Sequence, residues 1–318
     1  MFSIDKRDEN GFEKVILTDS QANTYATIIP ACGAILHEFV THRNGRAFNI
    51  IESYDSASDF RDHVETKGFL GCKLSPFVCR INRGIYHFAG KKYKLKKNYL
   101  NKSVLHGKLY DKPFGLMQET AGELYASVAM KYEYRGEDPG YPFNYDCVVK
   151  WQLEKDNTLS VTTECINKDE AAIPMQDGWH PYFNLGDVID ELQLQFQSND
   201  MVEFNNELIP TQNLIKYTGF NSLKKIGNIF FDNCFTLNME AGQPLCVLRN
   251  PAKKIEIEIA PEKSYPYLQI YIPPHRKSIA IENISGAPDG FNNGMGLITL
   301  LPATSVLFKT SYRINHLK

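Results

Sequence analysis

Lys254-Ile255-Glu256-Ile257-Glu258-Ile259 alternates charged and branched aliphatic residues without a break. Successive side chains of an extended strand point to opposite faces. Ile255, Ile257 and Ile259 therefore share one face, and Glu256 and Glu258 the other. The same period of two recurs along the chain. Between Tyr125 and Tyr134, one face carries Ala126, Val128, Met130, Tyr132 and Tyr134. Leu159 to Cys165 and Leu268 to Ile272 repeat the pattern. Ile85 to Phe88, then Ala89-Gly90, then Lys91 to Leu95 reads as a hairpin with Gly90 in its turn. Helical patterning is confined to Asp55–Lys67 and Ser222–Ile226, each predicted as a short helix. Many short strands separated by turns imply an all-β fold, a large antiparallel β-sandwich. No Pro/Gly/Ser-rich linker divides the sequence, so residues 1–318 are read as one domain.

The 318 residues are 43% hydrophobic and 23% charged, a balance that suits a soluble protein with a large core. The net charge of −2 provides no field for nucleic acid or anionic membrane. The local exception is Lys91, Lys92, Lys94, Lys96 and Lys97, whose alternation with Tyr93 and Leu95 reads as a solvated strand face. No stretch approaches the roughly 18 apolar residues of a membrane span. The first ten residues hold no apolar signal core. Seven cysteines, odd in number and without a C-x-x-C pair, read as reduced structural thiols of a cytoplasmic protein. Dinucleotide, P-loop, nucleophile-elbow and H-E-x-x-H patterns are missing, and no Cys/His spacing fits zinc. No metal or other cofactor is expected.

The chemistry lies in isolated polar residues within apolar surroundings. His180 stands in Gly178-Trp179-His180-Pro181-Tyr182-Phe183-Asn184-Leu185. Pro181 pushes it toward an extended conformation and gives the ladder no donor, so His180 projects from an irregular strand end. Trp179, Tyr182 and Phe183 are candidates for the apolar walls of a sugar pocket. Glu282, in Ser278-Ile279-Ala280-Ile281-Glu282-Asn283-Ile284, is either a desolvated general base or a solvent-facing residue at a strand end. His106 precedes Gly107, where backbone can approach a ligand; an ordinary turn histidine is the other reading. Arg80 is a charge in the run Phe77-Val78-Cys79-Arg80-Ile81, either paired structurally or offering its planar fork to hydroxyls. Asp232, in an aromatic run, either accepts two adjacent hydroxyl protons or caps a turn.

In order and spacing these segments resemble the aldose 1-epimerase, or galactose mutarotase, family over nearly the whole length. The resemblance begins at Ala26-Thr27-Ile28-Ile29-Pro30 and Gly33-Ala34-Ile35-Leu36. It continues through Arg80-Ile81 with Gly84, then Gly90, Tyr93, Leu95 and Asn98, then Leu105-His106-Gly107 and Pro139-Gly140-Tyr141-Pro142. It ends with His180 to Leu185, Asp232 with Phe235, and Glu282 followed by Pro288 and Asn292. The resemblance implies a mutarotase-like supersandwich and a cofactor-free isomerase. Glu282 would be its catalytic base and His180 its catalytic acid, with His106, Arg80, Asp232 and Tyr182 binding the sugar. It also implies a small-molecule sugar as the partner, no nucleic acid or membrane, and a monomer or homodimer. The family's usual Asn-Ala-Leu-His-Gly-Gly stands here as Ser103-Val104-Leu105-His106-Gly107-Lys108. Lys108 and Arg83 add positive charge near the site, which keeps a hexose-6-phosphate 1-epimerase as a second reading. A non-catalytic carbohydrate-binding protein is a third, although binding alone needs no matched acid and base.

Overall fold

Every segment with strand alternation is a strand in the computed structural model of the protein, which describes residues 1–43, 45–96, 99–100 and 102–318. Lys97 of the basic cluster and Asn98 of the Gly90–Asn98 stretch lie outside the described residues. In strand Ile255–Pro261, Ile255, Ile257 and Ile259 are buried and Glu258 is half-buried. Glu256 is buried as well, because Arg249 reaches its carboxylate through Nε at 2.7 Å and Nη2 at 2.6 Å. A carboxylate tolerates burial when a partner holds it.

Two nine-stranded antiparallel sheets form the sandwich. The first runs Gly115–Ala121, Tyr125–Arg135, Asn144–Glu154, Thr158–Asn167, Ser305–His316, Ile255–Pro261, Cys246–Asn250, Gln193–Phe196 and Lys224–Lys225. Ser305–His316, the most C-terminal of these strands, thus lies inside the sheet between Thr158–Asn167 and Ile255–Pro261. The second runs Pro210–Lys216, Ser198–Phe204, Asp232–Leu237, Tyr267–Tyr271, Ile279–Ile284, Gly178–Trp179 and Lys73–Leu74, with Tyr182–Phe183 also paired to Ile279–Ile284 and Ile51–Glu52 paired in turn to Tyr182–Phe183. Five N-terminal strands between Phe2 and Asn49 make a further sheet. A continuous apolar core joins Val128, Val149 and Val161 of the first sheet to Phe235, Leu268, Ile270 and Ile281 of the second.

Two expectations about local structure fare differently. Asp55–Lys67 contains a helix at Ala57–His63, started by Ser56, whose hydroxyl accepts from the Asp59 amide at 3.1 Å. Ser222–Ile226 is not helical. Lys224–Lys225 is a two-residue edge strand paired with Leu194 and Gln193, and the buried Ile226 donates its amide to Leu192 O at 2.9 Å. A neighbouring strand offered ladder partners that a five-residue helix could not match. The two lysines stay exposed on that edge, where charge discourages further strand pairing.

The hairpin Ile85–Phe88/Lys91–Lys94 has left-handed φ at Ala89 (48°) and Gly90 (75°), as a two-residue turn requires. Lys91, Lys92, Lys94 and Lys96 are exposed, so that part of the basic cluster is a solvated face. All seven cysteines are free and buried. Among the described residues, no helix is long and apolar enough to cross a membrane.

Candidate active site

The second sheet places the polar residues by register. Cys234 pairs with Gln269 and Gln269 with Glu282 across three adjacent strands. Two residues along, Asp232 pairs with Tyr271, Tyr271 with Ala280, Ala280 with Tyr182, and Tyr182 with Glu52. Positions two apart share a face. Asp232, Gln269, Tyr271, Tyr182 and Glu282 therefore look the same way. The intervening row of Asn233, Ile270 and Ile281 looks the other way, and both isoleucines enter the core.

His180 sits in the break between Gly178–Trp179 and Tyr182–Phe183. Its amide donates to Cys72 O at 3.0 Å, and its carbonyl accepts from Gly71 at 2.9 Å. The ring lies parallel to Tyr182, with centroids 5.1 Å apart and an angle of 8°. Nε2 of His180 stands 3.4 Å from Oε1 of Glu282. The segment is anchored by a fully buried ion pair, Lys73 Nζ at 2.5 Å from Asp177 Oδ1. Lys73 also donates to Gly178 O at 3.1 Å and lies 4.6 Å from the Trp179 ring centroid. The Tyr265 hydroxyl donates to the same Asp177 oxygen at 2.6 Å.

His106 reaches the cluster from a strained turn. Its φ is 58°, and its amide donates to Cys79 O at 2.8 Å. Gly107 follows with φ of 75°, and a Cβ there would meet Ser75 O at 2.2 Å. Only glycine fits, and the close approach fixes the direction of the His106 ring. That ring meets His180 edge-on at 4.9 Å and Phe69 at 4.5 Å.

Arg80 is half-buried at the end of the short strand Arg80–Ile81. Its positive charge acts on Glu282, Asp232, Cys79 and His106. Asp232 Oδ1 accepts from Gln269 Nε2 at 3.0 Å. Glu282, Asp232 and Tyr182 thus share one sheet face, His180 and His106 lie against it, and Arg80 acts on the cluster through its charge.

Electrostatics follow from burial. Glu282, 2% exposed, has its carboxyl pushed well above the usual range, first by desolvation and then by the nearby negative charge of Asp232; Arg80 pulls the other way. Burial lowers His180 to about 3. His106 is driven well below its ordinary value by burial, then by His180 and Arg80. Asp232 is raised by burial against the pull of Arg80. Glu282 Oε2, His180 Nδ1, His106 Nδ1 and Gln269 Oε1 are buried without a hydrogen-bond partner among the described residues. Such groups are costly to leave unpaired, and a ligand dense in hydroxyls would satisfy several together.

Three sequence expectations need correction. Trp179 and Phe183 are not pocket walls. Alternation sends them to the opposite face from His180 and Tyr182, where Trp179 meets Trp151 at 5.2 Å and Phe183 meets Tyr312 at 5.8 Å. Tyr182 remains a wall, with its hydroxyl committed to Gly68 O at 2.9 Å. Lys108 is not exposed toward the site, since its ammonium is buried 2.7 Å from Asp138 Oδ2. Gln269 was missed: alternation marked its strand, but its place beside Glu282 depends on register with a distant strand.

A sequence model of the family described as aldose 1-epimerase matches residues 15–313. An uncharacterized protein of Escherichia coli K12 is 26% identical over 241 residues, covering 73% of this chain and 74% of its own. A galactose mutarotase-like protein from Clostridium acetobutylicum superposes with TM-score 0.88 at 17% identity, covering 99% of each chain. The galactose 1-epimerase from Lactobacillus acidophilus gives 0.82 at 18% identity, covering 100% of this chain and 99% of its own.

Proposed function

The chain belongs to the aldose 1-epimerase family of carbohydrate isomerases, and from that premise we propose that it interconverts the α- and β-anomers of free aldohexoses such as galactose or glucose. The observation that carries this reading is the buried pair of Glu282 and His180, 3.4 Å apart. Ring opening removes a proton from the C1 hydroxyl and adds one to the ring oxygen, so that the C1–O5 bond breaks to an aldehyde. Rotation about C1–C2 then exposes the other face, and closure reverses both transfers. The cycle needs one base and one acid that exchange roles. In the assigned roles Glu282 takes the C1 proton and His180 supplies the ring oxygen.

A pair holding one shared proton fits that cycle. Burial favours the neutral form of each partner, which leaves the proton on Glu282 before a sugar binds. Arg80 opposes this, and sugar hydroxyls donating to the carboxylate would favour its charged form and move the proton to His180. In this reading Asp232, Gln269, Arg80 and His106 hold the remaining hydroxyls. Lys108 is already neutralised by Asp138, which supports an unphosphorylated substrate over a 6-phosphosugar.

The test is anomer exchange followed by NMR saturation transfer for glucose, galactose and glucose 6-phosphate, after dialysis against EDTA. Free hexoses are expected to be preferred, with undiminished activity. A strong preference for the phosphosugar, or loss of activity with EDTA, rejects the proposal.

The pH profile gives a second expected result. A lowered His180 takes up an extra proton only near pH 3, so the singly protonated pair persists through the range where an ordinary imidazole, at about 6.5, would titrate. Glu282 keeps its proton above the usual carboxylate range, and the rate falls once rising pH removes it. The acid limb of kcat/KM, corrected for buffer catalysis, should therefore lie well below pH 6. A limb centred near about 6.5 would show that His180 titrates as a solvated imidazole and would remove the shared-proton scheme.

A further inference from the structure

Where the N-terminal sheet meets the first nine-stranded sheet, a cavity of about 700 Å³ opens between Arg43, Arg46, Phe48, Lys253, Lys254 and His316. None of these residues belongs to the cluster around Glu282. Four of them carry a permanent positive charge, and no carboxylate lines the cavity. Elsewhere such cations meet a carboxylate: Lys73 has Asp177, Lys108 has Asp138 and Arg276 has Asp190. Among the described residues, Arg43, Arg46, Lys253 and Lys254 have no ion-pair partner. Arg43 and Arg46 also pair directly across the hairpin of strands Ile35–Arg43 and Arg46–Asn49, an opposition of like charges that works against the hairpin. The Arg43 guanidinium is fixed by carbonyls, with Nη1 donating to Lys253 O at 2.6 Å and Lys254 O at 2.7 Å. Those bonds set its position without cancelling its charge. Lys254 has a left-handed φ of 53°, uncommon for a residue with a long side chain. Its carbonyl accepts from the Leu317 amide at 2.9 Å, and the Lys253 amide donates to Asn250 Oδ1 at 3.0 Å, so the turn bearing both lysines is anchored. The Asp187 carboxylate, next to the lining residue Gly186, is already engaged by Asn250 Nδ2 at 2.9 Å. Inside the cavity the imidazole of His316 is lowered by burial and then by Arg43.

We propose that this cavity binds a small organic di- or triphosphate of nucleotide size, at a site that shares no lining residue with the sugar cluster. Its volume lies within the range of small-molecule sites. One phosphate carries about two negative charges near neutrality, so four unpaired cations match a di- or triphosphate rather than a single phosphate. Arg46 and Arg43 offer planar forks suited to phosphate oxygens, and Lys253 and Lys254 act as point charges beside them. The ligand's negative charge would relieve the opposition of the two arginines. The half-buried Phe48 supplies an apolar ring for the organic part of the ligand. Gly186 keeps that ring in place, since a Cβ there would come within 3.0 Å of it.

The test is calorimetric titration with adenosine diphosphate and with inorganic phosphate, at physiological ionic strength, of the wild-type protein and of Arg46→Gln combined with Lys253→Gln. Both side chains are exposed, so the double variant is expected to keep its fold, which circular dichroism checks. The wild-type protein should bind the diphosphate at least about tenfold more tightly than inorganic phosphate, and the double variant should lose at least about tenfold of that affinity. The ring signals of His316 give a second readout by NMR. A bound anion favours the imidazolium, so the diphosphate should move the His316 titration to higher pH in the wild-type protein and leave it unmoved in the double variant. Binding that the double variant retains in full, a His316 titration indifferent to the diphosphate, or no binding by the wild-type protein overturns the site. Tighter binding of a single-stranded oligonucleotide than of the diphosphate also overturns it, because the face would then serve a macromolecule.

Discussion

Glu282→Gln is expected to lower the turnover of the proposed anomer exchange by at least about 100-fold, the scale of a lost general acid or base. The amide has nearly the shape of the protonated carboxyl that burial favours here, so the fold should be retained. Gln cannot take the C1 proton or share one with His180, 3.4 Å away. Sugar binding should change far less than turnover, because Asp232, Gln269, Arg80 and His106 remain. The measurement is saturation-transfer exchange alongside calorimetric binding and circular dichroism. Near-normal turnover in a folded variant would take Glu282 out of its assigned role.

The second large effect is on stability. Lys73→Met should cost about 3–5 kcal/mol, because it leaves the Asp177 carboxylate buried without its cation. Both side chains are fully buried, so water cannot replace the ammonium. Asp177 is already raised by burial, with Lys73 the main opposing influence. Removing Lys73 raises it further. A carboxyl whose folded pKa exceeds its unfolded one is stabilising when protonated and loses that contribution as pH rises. The deficit of Lys73→Met should therefore shrink on going from neutral to mildly acid pH. Lys73→Met combined with Asp177→Asn should recover part of the loss at neutral pH. Urea melts of the three proteins decide the matter. A loss below about 1 kcal/mol, or one that does not depend on pH, would mean that the pair contributes little.

The sequence carried the local periodicities well, since a period of two survives any tertiary arrangement. That is why Ile255, Ile257 and Ile259 could be assigned to one buried face. It also marked Glu282, His180 and Asp232, where a single ionisable group interrupts an apolar run. Periodicity does not say which face of a strand meets the core when both faces look apolar. Trp179 and Phe183 were misplaced for that reason. Nor does it give register between strands far apart in sequence, which alone puts Gln269 beside Glu282. The buried pairs Lys73–Asp177 and Lys108–Asp138 join residues 104 and 30 positions apart, and nothing local announces them. Ser222–Ile226 failed because five residues of helical spacing are weaker than a waiting ladder.

Strand Ser305–His316 lies between Thr158–Asn167 and Ile255–Pro261. It is therefore synthesised after both of the strands it joins. At ribosomal speeds Thr158–Asn167 must wait on the order of ten seconds for this neighbour. Throughout that time its edge toward the missing strand exposes unpaired amides and carbonyls, as does the edge of Ile255–Pro261. The nine-stranded sheet cannot be completed on a nascent chain that stops short of Ser305. The exposure to wrong pairing on both edges thus lasts until Ser305–His316 itself has been made and has paired.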